Sequence, residues 1–140
     1  MPPPRLPQGP QFRLLDEVSA PGPGPSLTGR TWLNPDWPIF HDHFPGQPLL
    51  PAVYFVEMAA QAAGVLWAAE AGFSPATPLQ VVEIRKFRIR RPARPGQTLQ
   101  TLVRMERAWP QLAAFHAQIM REDVVLAEGE ITMANVPVAT

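Results

Sequence analysis

The chain has 140 residues, 46% of them hydrophobic, with 12 lysines and arginines balanced by 12 aspartates and glutamates, and no cysteine. That length suits one domain. The zero formal charge gives no global field for nucleic acid or an acidic membrane, and the missing cysteine excludes disulfide staples, thiolate metal sites and a cysteine nucleophile. A reducing compartment, the cytoplasm, is the expected location.

Prolines 2, 3, 4, 7 and 10 crowd the start. Because proline removes backbone donors and disfavours helix before it, residues 1–11 are expected to form an extended or disordered arm, followed by a single domain over 12–135. Phe12 to Val18 is short enough for a strand, Pro21 to Pro25 alternates proline with glycine as a loop, and Leu27 to Leu33 reads as a second strand. The proline-rich segment His41 to Pro51 is expected to be irregular. Pro51 suits the start of a helix, which runs through an alanine-rich stretch to about Ala71 and stops at Gly72. That helix is apolar enough to resemble a membrane span. Glu57 in its interior would cost about 2.5 kcal/mol or more at a bilayer centre, so it is read as the buried helix of a soluble domain without a membrane span. Beyond it, alternating and β-branched stretches at Leu79–Arg90, Thr98–Trp109, Leu112–Arg121 and Val124–Ala134 are separated by short breaks, the pattern of antiparallel neighbours. Two strands, a helix and four strands give an α+β fold in which a bent sheet of about five to six strands wraps one helix.

Glu57 and Gln61 are four apart and share a helix face. A carboxylate buried there raises its pKa and takes up a proton, the state a general acid needs near neutral pH. The alternative is a structural acid hydrogen-bonded by Gln61. Just upstream, His43 lies in a loop stiffened by Pro45, Pro48 and Pro51, and histidine suits proton abstraction near neutrality. The N–H groups of Ala52 and Val53 open the helix, where its dipole favours a developing oxyanion.

His43-Phe44-Pro45-Gly46, then Leu50-Pro51, then Glu57-Met58-Ala59-Ala60-Gln61-Ala62-Ala63-Gly64 resembles the 3-hydroxyacyl-acyl carrier protein dehydratases of bacterial fatty acid synthesis. Phe87-Arg88-Ile89-Arg90-Arg91-Pro92 and Pro95-Gly96-Gln97-Thr98-Leu99 extend the likeness, which spans roughly residues 12 to 134. The resemblance implies a hot-dog fold and a homodimer in which histidine and acid of one site come from two subunits. It also implies cofactor-free dehydration of a 3-hydroxyacyl thioester, carried by acyl carrier protein or CoA, to a trans-2-enoyl thioester. His43 would take the α-proton and Glu57 protonate the departing hydroxyl. Ala52 would hold the thioester oxygen and Gln61 orient the acid; beside these, Val53, Phe44, Gly46 and Phe55 are substrate-binding candidates from the sequence itself. The chain departs from the family at Ala52, usually glycine, and at Asp42, often glycine. Thioester hydrolysis on the same scaffold, or a non-catalytic acyl-binding or assembly subunit, are the rival readings.

Arg85, Lys86, Arg88, Arg90 and Arg91 concentrate positive charge. This is read as a docking surface for an acidic carrier protein, against a nucleic-acid strip or an aggregation-resistant strand edge. His41 and His43 form an H-x-H pair that would share a face if extended, so a metal site with Glu57 is weighed; no metal is assigned. Trp37, Phe40 and Phe55 are candidates to line an acyl tunnel.

Overall fold

The computed structural model describes residues 4–20 and 24–135. Its strands are β1 (Glu17–Ser19), β2 (Ser26–Trp32), β3 (Gln80–Ile89), β4 (Thr98–Ala108), β5 (Leu112–Arg121) and β6 (Val124–Ala134). They form one antiparallel sheet in the order β1-β2-β4-β5-β6-β3. A short helix α1 (Ile39–Asp42) precedes the long helix α2 (Ala52–Ala71). The sheet bends around α2, which touches β2, β3, β4, β5 and β6. This is the hot-dog arrangement expected from the sequence.

The alternating pattern explains the sheet. Leu99, Thr101 and Val103 of β4 and Ala113, Phe115, Ala117 and Ile119 of β5 all turn inward and are fully buried, as period-2 side chains on one face must be. Against them α2 presents Phe55, Met58, Ala59, Ala62, Ala63, Leu66 and Trp67, the i, i+3, i+4, i+7 spacing of one helical face. The alanines let sheet and helix approach closely, while Phe55, Met58 and Trp67, at most 2% exposed, each contribute about 1.5–3 kcal/mol by burial. That outweighs anything helix propensity supplies. α2 is long and apolar enough to cross a bilayer, but the sheet already covers this face. Pro51 is its N-cap, and Gly72, at φ 79°, closes it with an N–H bond to Ala68 O of 2.9 Å.

β5 and β6 begin and end where the alternation does, and β2, β3 and β4 match to within a residue or two. Three local expectations are corrected. Phe12 to Val18 is not one strand: Pro10–Phe12 is a 3-10 turn and only Glu17–Ser19 pairs. The reason is that Phe12 O and Leu14 N–H are occupied by the Gln61 side chain instead of a neighbouring strand. His41 and Asp42 are helical, in α1, because Pro38 already holds helical backbone (φ −55°, ψ −31°) and lets a single turn propagate. Residues 4–9 lack helix and strand, as their prolines dictate, but lie against the domain: Leu6 is 7% exposed and packs in the core beside Ala60 and Trp67. Pro2 and Pro3 of the expected arm, and Pro21 and Pro23 of the Pro-Gly loop, lie outside the described residues.

At one edge, β3 carries a bulge between Arg85 and Arg88, with Lys86 at φ 52°. The bulge tips Phe87 inward, where it joins both halves of the core. Gly129 of β6 makes room for it: a Cβ there would meet the Phe87 backbone at Cα and its ring at 2.6 Å. Gly129→Ala is therefore expected to destabilise the fold by about 1–3 kcal/mol and to lower Tm by about 5 °C, read by differential scanning calorimetry. An unchanged Tm would mean that Phe87 is free to leave its slot.

Candidate active site

Two clusters flank the start of α2. The first is the loop that closes on His43. Leu49 N–H donates to His43 O at 2.7 Å, Gln47 N–H to Phe44 O at 2.9 Å, and Leu50 N–H to Ala93 O at 2.9 Å, which ties the loop to the β3–β4 connection. Gly46 sits in this turn at φ 77°, a backbone that L side chains resist. The His43 ring is half-buried, lies over Phe44 with centroids 4.2 Å apart, and points Nδ1 at Leu49 O, 3.1 Å away. A carbonyl only accepts, so in the neutral ring Nδ1 carries the proton and Nε2 keeps the open lone pair.

The second cluster holds the acid. Gln61 is 2% exposed and its amide is fully engaged: Nε2 donates to Phe12 O at 2.7 Å and to Glu57 Oε2 at 2.9 Å, while Oε1 accepts Leu14 N–H at 2.9 Å. Glu57 Oε2 also meets Gln8 Nε2 at 3.5 Å, whereas its Oε1 has no hydrogen bond among the described residues. Burial pushes the Glu57 carboxyl above its ordinary range, against the smaller opposing effect of the Gln61 amide. Burial thus favours the protonated form over the charged one, and among the described residues Oε1 is left without a partner.

Between the clusters, Pro51 delivers the helix start. Ala52 is exposed and Val53 is 68% exposed, and their N–H groups lie in the first turn, where no preceding turn supplies acceptors. Ala52 does not need a positive φ, so a methyl in place of glycine's hydrogen costs the backbone nothing. Asp42 ends α1 facing solvent, on the wall of a cleft of about 600 Å³ shared with Leu14, Trp37, Ile39 and Tyr54. Phe44 is 53% exposed, whereas Phe55 and Phe40, at 1% and 4%, are packed in the core beside Leu33 and Leu99. His41 is in the last turn of α1, so the extended geometry that would align it with His43 is not formed. Among the described residues, no hydrogen bond joins His43 to Glu57 within one chain.

The basic residues follow the β3 edge: Arg85, Lys86 and Arg88 on the strand, Arg90 and Arg91 just after it, all exposed. Arg90 Nη2 lies 2.9 Å from Glu128 Oε1. The Gln118 amide and this guanidinium together hold the Glu128 carboxyl below its usual range. Gln8 and Leu49 O are the site groups that sequence reading misses. Gln8 stands in a proline-rich segment with no periodicity, and a backbone carbonyl leaves no trace in residue type.

Residues 22–130 match the ApeI-like family, described as ApeI dehydratase. A 3-hydroxyacyl-[acyl-carrier-protein] dehydratase FabZ of Zymomonas mobilis is 35% identical over 122 residues, covering 85% of this chain and 76% of that protein. Its counterpart in Syntrophotalea carbinolica is 30% identical over 132 residues, covering 94% and 90%. Among solved structures, the dehydratase heterocomplex ApeI:P from Xenorhabdus doucetiae superposes with a TM-score of 0.78 at 20% identity, over 94% of this chain and 88% of that one. The fluoroacetyl-CoA thioesterase FlK, at 12% identity and a TM-score of 0.67 over 83% and 88%, shares the fold. With the His-Phe-Pro-Gly loop and the Glu57–Gln61 pair in place, the chain belongs to the ApeI-like, FabZ-related family of hot-dog dehydratases.

Proposed function

We propose that the protein dehydrates 3-hydroxyacyl thioesters to trans-2-enoyl thioesters, as a cytoplasmic homodimer whose sites each combine His43 of one protomer with Glu57 of the other. His43 Nε2 takes the α-proton, and the N–H groups of Ala52 and Val53 receive the charge that develops on the thioester oxygen. Glu57 gives its proton to the β-hydroxyl, the C–O bond breaks, and water leaves. Transfer of the proton from His43 to Glu57 restores both groups, so the cycle needs neither oxidant nor cofactor. The observation that carries this reading is the Glu57 carboxyl, held by Gln61, shifted upward by burial and free at Oε1.

Dimerisation is supported by the β3 edge, which leaves Val82, Ile84 and Ile89 between 41% and 53% exposed beside backbone that pairs with β6 on one side only. Exposed Phe44 and Val53 beside the site also favour a covering chain. Arg85, Lys86, Arg88, Arg90 and Arg91 would meet an acidic acyl carrier protein; the FabZ relatives are named for that carrier. Phe44 and Gly46 would border the acyl group. Mixing the protein with a 3-hydroxyacyl thioester should raise absorbance at the enoyl-thioester band. Release of free thiol without that band would assign a thioesterase instead, and neither signal would leave an acyl-binding subunit.

A further inference from the structure

Glu57 is approached by a second amide. The segment Leu6-Pro7-Gln8 runs along α2 as a strap, anchored by Leu6 in the core and by Arg13 Nε, which donates to Gln8 O at 2.8 Å. It seats closely: the gap bounded by Leu6, Gln8, Ala60, Gln61 and Gly64 is about 20 Å³, room for about one water. The strap brings Gln8 Nε2 to 3.5 Å from Glu57 Oε2, the oxygen that Gln61 also holds. Gln8 Oε1 is buried and has no hydrogen-bond partner among the described residues. A buried amide with one end unpaired costs stability, so its placement is explained by what the other end touches.

We propose that Gln8 is a positioning residue for Glu57: the strap presses its amide against the Oε2 edge of the carboxyl, so that Gln8 and Gln61 together fix the acid's orientation and leave Oε1 for the substrate. The acid's catalytic role rests on the dehydratase reading; the contact does not. Gln8→Leu keeps a side chain of similar bulk over the carboxyl and deletes the amide. With a donor to the charged form lost, Glu57 should hold its proton to higher pH. In protein labelled with ¹³C at glutamate Cδ, the Glu57 signal, identified by its loss in Glu57→Gln, should titrate with a higher midpoint in Gln8→Leu. Its kcat should fall about tenfold with KM little changed, the pattern of a group that acts on the transition state, and Tm should be retained. A midpoint that stays or falls overturns the positioning role whether or not the chain turns over. Lack of turnover in the unmutated protein defeats the dehydratase reading alone.

Discussion

Glu57→Gln is expected to lower the rate of enoyl-thioester formation by about 10²–10⁴-fold while making the protein more resistant to heat at neutral pH. Glutamine accepts the Gln61 hydrogen bond through its own carbonyl and has no proton to give, so the geometry survives and the chemistry does not. The stability gain comes from the sign of the pKa shift. Burial raises the folded carboxyl above 4.5, so over the interval above that value the folded chain holds a proton that the unfolded chain has lost. The stabilisation tied to that proton is complete below the unfolded pKa and drains away as pH rises through the folded one. Glutamine carries no such penalty. The difference in Tm between variant and parent should be small near pH 4, grow as the solution becomes neutral and then level off, as scanning fluorimetry across that range would record. A variant no more stable at neutral pH would show that the ionised carboxylate is well solvated in the assembled protein.

His43→Ala should lose about 10²–10⁴-fold in the same assay, because it removes the proposed base, Nε2, from the ring that the Leu49 carbonyl orients. This variant also tests where the two halves of the site come from. If one site draws its histidine and its acid from different protomers, a His43→Ala, Glu57→Gln heterodimer contains one site with both substitutions and one with neither. Random exchange of subunits makes half of the dimers mixed, so activity should return to about a quarter of that of the parent in a two-fold assembly. Two inactive proteins that stay inactive after unfolding and refolding together would place both groups of a site on one chain.

The strands and the long helix were legible in the sequence because each rests on local rules. Alternation of apolar residues over Leu112–Arg121 and Val124–Ala134 can satisfy a half-buried strand and little else, and the proline at 51 with the glycine at 72 brackets the helix by backbone sterics alone. The His43 to Glu57 motif was recognisable because it lies within one short stretch of chain. What the sequence left open depends on contacts between distant residues. Phe12 to Leu14 has the composition of a strand, yet Gln61, nearly fifty positions later, takes its carbonyl and N–H, a competition no local pattern contains. The bulge that turns Phe87 inward depends on the missing side chain of Gly129 across the sheet.

By itself, then, the sequence determined the order of the elements and the family motif that carries the proposed base and acid, since hydrophobic period and residue chemistry act over a few positions. Only the tertiary structure decided that Leu6 to Gln8 lies against Glu57, that Phe55 and Phe40 belong to the core, that Ala52 is accommodated without strain, and that Glu57 is raised toward its neutral form. Each of these depends on which surfaces fold back on one another, and burial, unlike composition, is a property of neighbours in space.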